Sequence, residues 1–103
     1  MLTREDFMRR PEPVVWDRKR RIGYQEYTLE DWLAKSAEED AEICRAIRDG
    51  ERPERIAEEI VDNITVHISW LYALGLMELL DRTVASVNEK NRHRGGLGGE
   101  QRA

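Results

Sequence analysis

Apolar residues return at intervals of three and four from Leu29 to Val87, the spacing of helices that each bury one face. Leu29, Trp32, Leu33, Ala37, Ala41, Ile43 or Cys44, and Ile47 make one such row, while Glu30, Lys35, Glu38, Glu39 and Glu42 fill the other side. Thr28, with Asp31 three residues on, has the form of a capping box, so this helix starts near Leu29. Gly50 stands where a left-handed C-terminal cap belongs. Pro53 stands where the next helix takes its first residue without needing an amide donor.

From Glu54 the positions Ile56, Ile60, Ile64, Ile68 and Leu71 fit one uninterrupted helix. The β-branched run from Ile60 to Thr65 also contains Asp62 and Asn63, whose side chains compete with a helical backbone, so a break there is the alternative. After Gly75, Leu76, Leu79, Leu80, Val84 and Val87 suit either a further helix or a two-stranded ribbon turning at Asp81 and Arg82. Before Leu29 the pattern changes. Residues 1–12 form a polar arm ending at Pro11 and Pro13, and Val14, Val15 and Trp16, the charged turn 17–21, then Ile22, Tyr24 and Tyr27 predict a short hairpin. The alternative is an irregular arm with Trp16 and Tyr24 lying on the helices. Residues 89–103 hold almost nothing to pack and read as a disordered tail, leaving 13–88 as a single domain. The expected fold is therefore mainly α, with three to four helices and a short N-terminal β-hairpin.

Composition narrows the functions. The 103 residues suffice for one core, and a formal charge of −4 argues against a polycation that coats nucleic acid or membrane. Cys44 is the only cysteine, which leaves neither an internal disulfide nor a four-ligand zinc site and predicts a reducing, cytoplasmic setting. The longest stretch without a formal charge, Asn63 to Met77, is shorter than the roughly 20 residues of a membrane span. His67 and His93 are the only histidines, and no serine, cysteine or carboxylate spacing marks a nucleophile with its base, so no enzyme is expected. The run Glu38, Glu39, Asp40, Glu42 lacks the alternation and glycine of a calcium loop and reads as a solvated helix face. No cofactor or metal is expected.

The segment "AEICRAIRDGERPERIAEEI" followed by "DNITVHISWLYALGLMEL" resembles winged helix-turn-helix DNA-binding regulators. That resemblance implies a winged-helix-like arrangement with a core at Ile47, Ile56, Ala57, Ile60, Leu71 and Leu74. It also implies a recognition helix from about Asn63 that offers Thr65, His67 and Ser69 to double-stranded DNA, with Arg82 at a wing tip. The basic cluster Arg18, Lys19, Arg20, Arg21 would add phosphate contacts. The recognition helix itself has no Arg or Lys, however, and winged-helix scaffolds also serve as protein-binding modules.

Trp70 and Tyr72 are candidates for an exposed partner-binding patch, with burial in the core as the plainer reading. A helix apolar on more than one face suits burial between two subunits, so a homodimer is expected. At the other end, "MLTREDF", "VVW" and "RIGYQEYTLEDW" are similar to the start of phage tail assembly chaperones, which implies binding to a protein partner without DNA-reading residues. Two functional classes thus remain: a dimeric winged-helix-like regulator, and a helical interaction module.

Overall fold

The computed structural model describes residues 9–96. Two short strands, β1 (Trp16–Asp17) and β2 (Ile22–Gly23), pair antiparallel with Trp16 opposite Gly23 and Asp17 opposite Ile22. A 3-10 turn, Tyr24–Glu26, leads into α1 (Leu29–Arg48), α2 (Pro53–Ala73), a second 3-10 turn at Met77–Leu79, and α3 (Leu80–His93). The mainly helical fold with three helices and an N-terminal hairpin is as expected.

Local chemistry sets the helix ends. At the start of α1 the Thr28 hydroxyl accepts from Asp31 N at 3.2 Å, and the Asp31 carboxylate accepts from Thr28 N at 2.9 Å, completing the capping box. At its end, Glu51 N donates to Ala46 O and Gly50 N to Ile47 O, a Schellman closure that requires the left-handed φ of 66° at Gly50. The same closure recurs after α2, with Leu76 N on Leu71 O, Gly75 N on Tyr72 O, and Gly75 at φ 74°.

The break considered at Asp62 and Asn63 does not form, and α2 passes straight through both residues. Their side chains are engaged away from their own backbone. The Asn63 amide donates to the Asp40 carboxylate on α1 at 2.6 Å, and the Asp62 carboxylate lies near Glu58 and Glu59 one turn back on its own helix. The hydroxyls of Thr65 and Ser69 donate to Val61 O and Thr65 O one turn back, which is compatible with continuous helix. Residues 76–87 form the 3-10 turn and most of α3 rather than a ribbon. Arg82 therefore lies on a helix and not at a wing tip. α3 also runs past Asn88 to His93, where Glu89 pairs with Arg92 and His93 one turn on.

α1 and α2 pack against each other, and the strand hairpin covers one end of the pair. The core there is aromatic. Trp32 is 3% exposed and stacks on Trp70 with centroids 5.4 Å apart, while Tyr24 and Tyr27 meet Trp32 edge-on or tilted, and Val66 and Ala73 close the cluster. The arm from residue 9 crosses α2, with Val14 N donating to the Ser69 hydroxyl at 2.9 Å, and reaches α3 through an Arg10–Asp81 ion pair at 2.8 Å. α2 and the segment Met77–His93 meet at a bend of 112°, and no single helix among the described residues is long and apolar enough to cross a membrane.

Candidate functional site

On a helical wheel at 100° per residue, α2 carries two apolar stripes on nearly opposite sides. The inner one, with Val66, Trp70 and Ala73, faces α1 and the strand hairpin. The outer one holds Ile60, Val61, Ile64, Leu71 and Tyr72. Ile60 is 41% exposed and Ile64 is 45% exposed, while Val61 and Tyr72 are also open to solvent. Ile68 shares this stripe but is buried next to Ser69, where the arm crosses. The positions expected in a core at Ile60, Ile47 and Leu74 are thus exposed surface, and Ala57 is exposed as well, since α2 is one continuous helix and its inner stripe is the side that packs on α1 and the strand hairpin. Leu29 and Leu33 of α1 are likewise exposed.

α3 is amphipathic in the same way but meets no comparable neighbour. Leu76, Leu79, Leu80, Val84 and Val87 line one side, and none of the residues of α3 is buried.

The basic turn is organised by a carboxylate. Asp17, 2% exposed, accepts from Lys19 N at 3.0 Å, Arg20 N at 2.9 Å, the Arg20 guanidinium at 3.0 Å and the Tyr27 hydroxyl. Burial works against its ionisation, yet the hydrogen bonds from Tyr27 and Arg20 outweigh burial and hold Asp17 far below the ordinary carboxylate range. Tyr27 is pushed up by burial and by donating to this carboxylate. Arg20 also reaches Tyr27 Oη at 3.2 Å and pairs with Glu38 of α1, so it ties the hairpin to the helix. Its guanidinium is thus engaged by two carboxylates of the chain, unlike the other three members of the basic cluster. Arg18, Lys19 and Arg21 are exposed and pair with no carboxylate side chain among the described residues. Arg21 sits at φ 59°.

The other residues assigned to DNA contact do not converge. Ser69 is 1% exposed and its hydroxyl is spent on Val14 N and Thr65 O. Thr65 donates to Val61 O. His67, with Nδ1 3.0 Å from Asn63 O, points about 200° around the helix from Ser69 by the 100° wheel. Arg82 is exposed on α3. Of the two proposed partner residues, Trp70 belongs to the aromatic core and Tyr72 to the outer stripe.

One further cluster lies between α1 and α2, where carboxylate oxygens of Glu39, Glu42 and Glu59 come within 4.8 Å of one another. Glu59 is buried, pairs with Arg55 at 2.7 Å through Oε2, and leaves Oε1 without a donor. Burial and Glu42 push Glu39 up, and burial and Glu59 push Asp62 up. Glu39 therefore departs from the solvated face that the acidic run Glu38–Glu42 suggests. The cluster is a site of repulsion within the helix pair.

Sequence reasoning missed the Asp17 hub, although an aspartate followed by two residues whose amides can reach it is the signal of a side-chain-capped turn. It placed the outer stripe of α2 in a core. The signal there was an apolar set too wide for one face. Compared with known proteins, the chain matches no family model, no curated protein and no solved structure.

Proposed function

We propose that this protein is a non-catalytic helical interaction module that docks a protein partner along the outer face of α2. The observation that carries this reading is the exposed row Ile60, Val61, Ile64 and Tyr72 on a helix whose opposite face already packs against α1. Isoleucines and a tyrosine at helical spacing form the type of surface that fits an apolar groove or a second helix. The N-terminal similarity to phage tail assembly chaperones points to the same class. Two further observations favour a protein partner over duplex DNA: α2 has no turn to free a reading helix, and Arg20 is committed to Asp17 and Glu38.

The test is a photo-crosslinking residue at Val61 in the native host, with one at Arg48 as the control. A single adduct with a protein of different sequence at 61, absent at 48 and lost with Ile60→Asp, is expected. A gel shift with random duplex at two ionic strengths runs beside it. A salt-sensitive shift abolished by replacing Arg18, Lys19 and Arg21 with alanine would overturn this reading in favour of DNA binding through the basic turn.

A further inference from the structure

Glu39 and Glu42 stand one turn apart on α1, and Glu59 joins them from α2, so that one carboxylate oxygen of each lies within 4.8 Å of the other two. Asp62, one turn beyond Glu59, adds a fourth negative charge. The countercharge is smaller. Lys35 Nζ lies 4.0 Å from Glu39, and Arg55 holds Glu59 Oε2 at 2.7 Å while it also pairs with Glu51 and Glu58.

Charge alone would describe a solvated acidic patch, but Glu59 does not belong to one. The residue is 8% exposed, its Oε1 is closed off from solvent, and that oxygen meets no donor among the described residues. The described residues themselves enclose it, so bulk water does not satisfy it. An enclosed carboxylate oxygen without a partner is costly to keep.

We propose that Glu39, Glu42 and Glu59 bind one hard divalent cation, which clamps α1 to α2. The donors are all carboxylate oxygens, the ligand type that suits Mg²⁺, Mn²⁺ and Ca²⁺. Oxygens on opposite sides of a Ca²⁺ ion lie about 4.6–5.2 Å apart, so a set within 4.8 Å closes on such an ion with little movement. Arg55 on Oε2 fixes the Glu59 carboxylate in the way that an outer partner orients a metal ligand. The Asn63–Asp40 bond at 2.6 Å also ties α1 to α2 close by. The acidic run lacks the spacing of a calcium loop because the donors come from two helices. The inference goes beyond the docking reading, which rests on the outer face of α2.

The experiment uses the full chain, freed of metal by chelator and held at neutral pH in about 0.15 M salt. Calorimetric titration with MnCl₂, CaCl₂ and MgCl₂ in turn is expected to give one ion per chain for at least one of them, with a Kd at or below about 1 mM. Glu59→Gln and Glu42→Gln are each expected to weaken binding about tenfold or more. Glu54→Gln, which removes an exposed carboxylate from the same helix, is expected to leave it within about twofold. Mn²⁺ should broaden the amide signals of residues 39, 42 and 59 before those of Glu30 or Glu89, and the bound ion should raise the thermal midpoint of the wild-type chain but not of Glu59→Gln. No saturable binding up to about 5 mM of any of the three ions, unchanged binding in both glutamine variants, or broadening centred on another acidic stretch overturns the proposal. Should Glu59→Gln fail to fold, Glu42→Gln alone decides. None of these readouts involves the adduct at Val61, so the two readings fail separately.

Discussion

The α1–α2 pair and α3 are built from the same kind of pattern, yet one is packed and the other is not. α1 offers Trp32 and α2 offers Trp70, Val66 and Ala73, and the strand hairpin adds Tyr24 and Tyr27, so aromatic rings from three elements share one cluster. α3 offers valines and a leucine at equally regular spacing, and none of its residues is buried by the other described residues. Amphipathic spacing therefore states that a helix needs a neighbour. It does not state that the neighbour belongs to the same chain.

The largest effect is expected at the centre of the packed region. Trp32→Ala should cost about 3–5 kcal/mol in urea unfolding, because the ring is enclosed and stacked on Trp70. A loss under about 1 kcal/mol would show that the aromatic cluster does not hold the hairpin to the helices. Asp17→Ala should come next, at about 2–4 kcal/mol, since it strands two turn amides, Tyr27 and Arg20.

The pH dependence sharpens the contrast within the packed region. Asp17 has a lowered folded value, so its contribution is complete above the ordinary 3.8 and is lost as the pH falls below it. Glu39 and Asp62 have raised folded values, so stability is gained as the pH falls through them, above 4.5 and 3.8 respectively. A urea series from neutral to acid should thus show a shallow rise followed by a fall. Asp17→Asn should remove the fall, and Glu42→Gln should flatten the rise by relieving Glu39. Retention of both limbs in both variants would assign the dependence to other groups.

The smallest effect on stability is expected where the proposed function is greatest. Ile60→Ala should change the unfolding free energy of the monomeric chain by no more than about 0.5–1 kcal/mol, because nearly half the side chain is already in water. A loss of 2 kcal/mol or more, on the scale of about one buried isoleucine, would place Ile60 in a core and remove the outer face from consideration.

Much of this molecule is legible in its residues. The start of α1 is marked by Thr28 and Asp31, its end by Gly50, and the start of α2 by Pro53, since each depends on backbone groups within a few positions. The hairpin is legible from Trp16, the charged turn 17–21 and Ile22, but Val14 and Val15 lie outside its strands and Tyr24 opens a 3-10 turn. Asp62 and Asn63 were ambiguous because what decides between capping and continuation is whether the side chain finds a partner elsewhere, and Asn63 finds Asp40 across the helix pair. The basic turn was legible as charge, but the separation of Arg20 from Arg18, Lys19 and Arg21 was not. That separation depends on Glu38 and Tyr27 arriving from elements that lie further along the chain.

The sequence by itself determined where helices begin and end and which positions on each are apolar, because hydrogen-bond capping and helical periodicity act over one or two turns. Only the tertiary structure decided which of those apolar stripes face each other. α2 is uninterrupted, is covered by α1 on one side, and is followed by a bend of 112° that carries α3 away. Burial is a property of what stands opposite a residue, and that is set by the direction each helix takes after its glycine-capped end.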